Sequence, residues 1–216
     1  MTLANRLTLA RLILVPAFML FMFYDCLATR VASLVIFIGA SITDWYDGEI
    51  ARRTGTVTVI GTFLDPLVDK MLIAAALIGF VELRELQIPA WMVVLVISRE
   101  FLITGLRSLA ASRGVVMAAD QAGKFKMASQ ITAIITILVI LSVDASLDKW
   151  SGWRPEMIGG WQHALHLVLI QAPYYLVLIV TIITVVSGYL YIQKYRELLR
   201  SEFSVLKSRN PVRSQF

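Results

Sequence analysis

Residues 44–69 read DWYDGEIARRTGTVTVIGTFLDPLVD, and four aspartates in this stretch, Asp44, Asp47, Asp65 and Asp69, stand between long apolar runs. An isolated carboxylate is costly in hydrocarbon, so four beside one membrane boundary call for pairing or for a function. On a helix over 44–51, Asp44, Asp47, Gly48 and Ala51 share a face. On a helix over 61–69, Gly61, Asp65 and Asp69 form a second stripe with a period of four. Two such helices side by side gather the four acids around one small volume. Like charges that close need compensation, and divalent cations supply it. Hard oxygen ligands suit Mg²⁺ or Mn²⁺. The glycines let a ligand or a neighbouring helix approach the backbone.

The rest of the chain places this stretch in a membrane. Of 216 residues, 58% are hydrophobic and only 16% charged. A soluble domain carries roughly 25% charged residues, so this chain cannot cover its apolar surface in water. The predicted fold is an all-α polytopic membrane protein with six transmembrane helices and short interfacial helices. A net charge of +5 raises the question of nucleic acid, but the basic residues cluster between and beside apolar runs, and no nucleic-acid partner is expected. Cys26 is the only cysteine, which excludes an intrachain disulfide.

The apolar runs predict spans near 7–24, 31–50, 59–83, 89–111, 124–143 and 165–192. Pro16 is expected to bend the first, which is read as a retained span rather than a signal peptide. Asn5 and Thr8 precede its apolar run, where capping is one reading. Lys70 follows Asp69 and is expected to pair with a carboxylate or to reach the interface. Pro89 opens the fourth span, which holds Arg99 and Glu100 near its middle as a possible supporting polar pair. Glu100, Thr104 and Arg107 share one of its faces. Gly114 is expected to end that helix and Asp120 to cap the next. Gln130, deep in the fifth span, is expected to hydrogen-bond across the bundle. Residues 144–164 form the longest predicted loop, with Trp150, Trp153 and Trp161 as an interfacial belt. His163 and His166 lie away from the acids and have no cysteine partner, so zinc is not expected there.

Residues 1–193 form one predicted catalytic domain, and 194–216 a basic tail that begins amphipathic and lies along anionic lipids. Most lysines and arginines fall on the side of the aspartates, with Arg30, Arg84, Lys149 and Arg154 opposite. The positive-inside rule therefore puts both termini and the acids in the cytoplasm.

The spacing Asp44-x2-Asp47-Gly48-x2-Ala51-Arg52-x8-Gly61-x3-Asp65-x3-Asp69 resembles, position for position, the signature of the CDP-alcohol phosphatidyltransferase family. The resemblance implies a six-span bundle whose polar cavity opens to the cytosol of a bacterial membrane. It implies two divalent ions, Mg²⁺ or Mn²⁺, held by Asp44, Asp47 and Asp65, with Asp69 as general base. Gly48, Ala51, Arg52 and Gly61 match positions that line the donor's cytidine and diphosphate pocket, and Asn5 and Thr8 match an Asn-Leu-Thr-like element before an arginine. Ala4 stands where many relatives have proline. The donor is then CDP-diacylglycerol, the product nucleotide CMP, and the assembly a homodimer.

Two further segments are similar to the phosphatidylglycerophosphate synthase branch: Ser98-Arg99-Glu100-Phe101 with Leu106-Arg107, and Gly114, Ala118-Ala119 and Gly123-Lys124-x-Lys126 with Gln130. Met127 replaces a threonine common in relatives. A phosphorylated acceptor asks for a dedicated basic clamp, and Arg107, Lys124 and Lys126 are the available groups. Glycerol 3-phosphate is the expected acceptor. Inositol phosphate fits the same clamp, and inositol or serine keeps the same chemistry. A cation or proton transporter is the reading from a different class. It lacks an acid path, because only Glu100 lies deeper than the aspartates.

Overall fold

Apolar side chains recur three and four positions apart along each span, and burying those stripes against one another builds the bundle. The computed structural model describes residues 3–54, 59–111, 121–151 and 161–196. It is all-α: α1 (Leu3–Phe23), α2 (Leu27–Thr54), α3 (Val59–Glu82), α4 (Ala90–Ala111), α5 (Gln121–Ser151) and α6 (Trp161–Lys194). A single 3-10 turn, Arg84–Leu86, joins α3 to α4.

Helix α1 packs against α2 and α3, α2 against α5, α5 against α6, and α6 against α4. The core shows the stripes directly. Leu72, Ala76 and Phe80 of α3 meet Met92 and Val96 of α4, with Ile134, Ile137, Leu138 and Leu141 of α5 in the same cluster. Phe18 of α1 and Phe37 of α2 tilt against each other with ring centroids 5.8 Å apart. At Gly79 the buried Met22 side chain of α1 lies directly on the α3 backbone, where a Cβ would collide with it.

The outward surface is apolar too. Ile13, Val35, Val94, Ile179 and Ile182 are all exposed. An apolar exterior over an apolar core is the pattern of a chain surrounded by lipid. Among the described residues, two stretches, Gly123–Leu147 and Val168–Lys194, are long and apolar enough by themselves to cross a bilayer. Ala10–Phe23 and Leu27–Thr43 are shorter apolar helices. Helix α4 reaches a membrane's length but is interrupted by Arg99, Glu100 and Arg107.

Several boundaries differ from expectation. Helix α1 starts at Leu3, so Asn5 and Thr8 lie inside it and not at its N-cap position. Pro16 lies inside the helix, as it does in the predicted span. The long loop expected over 144–164 is mostly helix: α5 runs to Ser151 and α6 begins at Trp161, leaving only nine residues between them. Asp144 to Lys149 contain no proline or glycine, and polarity there marks the edge of the hydrocarbon, not the end of the helix. Trp150 and Trp161 thus belong to helices, as do His163 and His166. Gly114, Asp120, Trp153 and the tail beyond 196 lie outside the described residues.

Candidate active site

The carboxylate stretch folds as one helix end and one helix beginning. Helix α2 carries Asp44, Asp47, Gly48, Ala51 and Arg52, and α3 carries Gly61, Asp65 and Asp69. The side chains of these residues, and of Asn5 and Thr8, lie outside the described residues. With a helical rise of 1.5 Å per residue, Asp47 lies about 10 Å from the end of α2 and Asp65 about 9 Å from the start of α3. Asp44 and Asp69 each lie about 15 Å in by the same count. Among the described side chains, no three His, Cys, Asp or Glu groups converge as a metal site.

One residue beyond Asp69 the geometry becomes explicit. Lys70 donates from Nζ to the Glu100 backbone oxygen at 3.3 Å and to Thr104 Oγ1, and lies 3.8 Å from Glu100 Oε2. Thr104 in turn donates to the Glu100 carbonyl at 2.7 Å. The expected pairing of Lys70 with a carboxylate is thus present, and it docks α3 onto α4 beside the aspartate stripe.

Glu100 joins three helices. Its Oε1 accepts from Lys126 of α5 and lies 3.4 Å from Arg99 Nη1, while Oε2 faces Lys70 of α3. Arg99 continues to α6, donating from Nη2 to Ser187 Oγ at 3.0 Å. Gly188 permits this passage, since a Cβ there would stand 2.9 Å from Arg99 Cγ. Arg99 and Glu100 are thus the polar support the sequence suggested. Glu100 does not pair with Arg107, although the two share a helical face.

The predicted basic clamp is divided. Lys126 is buried, with a relative accessibility of 4%, whereas Arg107 and Lys124 are exposed. Residues two apart on a helix point to different sides, so Lys124 and Lys126 cannot both turn inward. Beside Lys70 and Glu100 a narrow cleft runs deeper between α3, α4 and α5, past Ile97 and Phe101 to Gln130. Gln130 is buried, and neither of its amide atoms has a hydrogen-bond partner among the described residues. The cross-bundle bond expected of it is absent there. Composition could not show this cleft, because its walls are ordinary apolar side chains drawn from three helices.

Comparison with known proteins settles the class. The family described as CDP-alcohol phosphatidyltransferase matches residues 1–192, nearly all of the chain. The chain belongs to the CDP-alcohol phosphatidyltransferase family. It is 40% identical over 180 residues to the CDP-diacylglycerol–glycerol-3-phosphate 3-phosphatidyltransferase of Bacillus subtilis, covering 74% of this chain and 92% of that one. A probable phosphatidylglycerophosphate synthase of Mycobacterium tuberculosis is 45% identical over 143 residues, 65% of this chain and 67% of its own. The Haemophilus influenzae CDP-diacylglycerol–glycerol-3-phosphate 3-phosphatidyltransferase is 33% identical over 162 residues, 67% of this chain and 86% of its own.

Proposed function

We propose that this protein transfers the phosphatidyl group of CDP-diacylglycerol to sn-glycerol 3-phosphate, giving phosphatidylglycerophosphate and CMP. One structural observation carries the reading beyond family membership. The buried Lys126 is linked through Glu100 to Lys70, the residue next to Asp69. An acceptor-binding cation therefore stands close to the aspartate stripe. Relatives in Bacillus subtilis and Haemophilus influenzae, whose names specify glycerol 3-phosphate, support the same acceptor.

Asp44, Asp47 and Asp65 are the residues that would hold Mg²⁺ or Mn²⁺, and three carboxylates near the adjoining ends of α2 and α3 are the hard oxygen donors such an ion takes. Bound divalent ions neutralise the donor's diphosphate charge. Gly48, Ala51, Arg52 and Gly61 line the donor pocket, and Asn5 and Thr8 on α1 serve it from the neighbouring helix. Asp69 accepts the proton of an acceptor hydroxyl. That oxygen forms a bond to the lipid-side phosphorus as the bond to CMP breaks. Lys126 takes the acceptor's phosphate. Arg107 and Lys124, exposed near the adjoining ends of α4 and α5, draw the dianion in.

The six helices span the membrane, with the basic side and the active site in the cytoplasm. Charged residues in α3, α4 and α5 are held by Glu100, which Lys70, Arg99 and Lys126 share. The basic tail rests on anionic lipid, and the protein works as a homodimer. The test follows CMP release from CDP-diacylglycerol with each acceptor offered separately. Turnover with inositol phosphate or serine and none with glycerol 3-phosphate ends the assignment, as does undiminished turnover after exhaustive EDTA treatment.

A further inference from the structure

Glu100 is more than support for the bundle: we infer that it is a positioning residue for the acceptor, holding the buried Lys126 ammonium in place to receive the phosphate. The inference rests on the acceptor role of Lys126 proposed above. Among the described residues, Glu100 Oε1 is the only partner of Lys126 Nζ. A buried ammonium without a counter-charge is strongly disfavoured, so this carboxylate keeps Lys126 charged and inward. Arg99 shares the same oxygen, so two cations meet at Oε1 of a single carboxylate. An arriving phosphate finds positive charge already assembled and not fully neutralised.

Two features separate this role from simple structural support. First, Lys70 is tied to α4 by the Glu100 backbone oxygen and by Thr104 as well as by the carboxylate. Removing the carboxylate charge leaves those two bonds, so α3 and its aspartates keep their place. Second, Arg99 retains Ser187 across to α6. Among the described residues Lys126 has no such reserve. The loss therefore falls on the acceptor side of the site and spares the donor side.

The experiment uses the full-length protein in detergent micelles with added lipid. It measures KM for glycerol 3-phosphate and for CDP-diacylglycerol in Glu100→Gln, Glu100→Asp, Lys126→Gln and the Glu100→Gln/Lys126→Gln double variant, with a melting curve for each. Lys126→Gln raises the acceptor KM by about tenfold or more, the size expected when a charge-assisted bond is lost. Glu100→Gln raises the acceptor KM by about fivefold or more and leaves the donor KM within about twofold, the split that marks an acceptor-specific effect. Glu100→Asp keeps the charge and falls between wild type and Glu100→Gln. It carries the test on its own if Glu100→Gln does not fold. The double variant is no worse than Lys126→Gln, because the two act as one unit. A normal acceptor KM in Glu100→Gln while Lys126→Gln is impaired overturns the role of Glu100 alone. Parallel rises in both KM values, or independent effects in the double variant, also overturn it. A normal acceptor KM in Lys126→Gln overturns the reading of Lys126 and this inference with it.

Discussion

Asp65 and Asp69 lie one turn apart on α3, yet the two should fail differently when altered. Asp69→Asn removes the proposed proton acceptor but keeps shape, so CDP-diacylglycerol binding survives while turnover falls by roughly 10²–10⁴-fold. Asp65→Asn removes a proposed metal ligand, so metal affinity and donor binding should fall as well. Isothermal titration of the divalent ion beside steady-state kinetics separates the two. Equal metal affinity in both variants with matching kinetics would show that the roles are misassigned. The residue scale also shows where charge reading needs geometry. Lys124 and Lys126 are equivalent as basic residues in sequence, but one is exposed and the other buried against Glu100. Arg107→Ala should accordingly weaken acceptor use less than Lys126→Gln does. An exposed cation steers the dianion, whereas a buried one contacts it. The acceptor KM of each variant at low and high salt checks this, and the Arg107→Ala deficit should shrink with salt.

At the scale of elements, the end of the bundle away from the aspartates has its own ionic tie. Arg30, in the first turn of α2, is buried. Its Nη2 lies 2.8 Å from Glu85 Oε1 in the turn before α4 and 3.4 Å from Asp25 Oδ1. Glu85→Gln leaves the guanidinium with the distant, solvent-exposed Asp25. The partial exposure of Glu85 limits the cost to about 1 kcal/mol. For a chain of this length that lowers the melting temperature by about 2–4 °C. The kinetics of the folded enzyme should not change, and an unaltered melting curve would show the tie to be cosmetic. Sequence reading placed Arg30 among loop charges, because a short run such as DCLATR gives no hint that α2 begins inside it. The same limit explains 144–164, where the apolar run ends before the helix does. Apolar content reports which residues meet hydrocarbon, and a helix that leaves the hydrocarbon keeps its backbone bonds without it. By contrast, α3 was legible almost to the residue, since Val59–Glu82 follows a polar connection and ends at the first run of charges. The pairing of Lys70 with Glu100 was foreseen only in kind. Which carboxylate it meets depends on how α3 packs on α4, and no local pattern encodes that.

At the scale of the whole molecule, the arrangement of the six helices can be tested with a reporter the chain already has. Cys26 is the only cysteine and is exposed in the short connection between α1 and α2. In a six-span bundle with cytoplasmic termini that connection faces outward, opposite the aspartates. A membrane-impermeant maleimide added to intact spheroplasts should therefore label Cys26 without permeabilisation. A second variant, Cys26→Ser with Ser208→Cys, moves the thiol to the tail. It should react only after the membrane is opened, because basic segments are retained on the cytoplasmic side. The alternative with both termini outside reverses both results. A cytoplasmic marker protein is followed in parallel to show that the cells are intact. With it retained, labelling of both variants would put residues 26 and 208 on one side, an even number of crossings apart, and overturn the six-span arrangement. With that control, protection of Cys26 and reaction of the tail cysteine would turn the active site to the outer face. CDP-diacylglycerol and glycerol 3-phosphate would then have to be supplied there, and the proposed use of cytosolic substrates would fall.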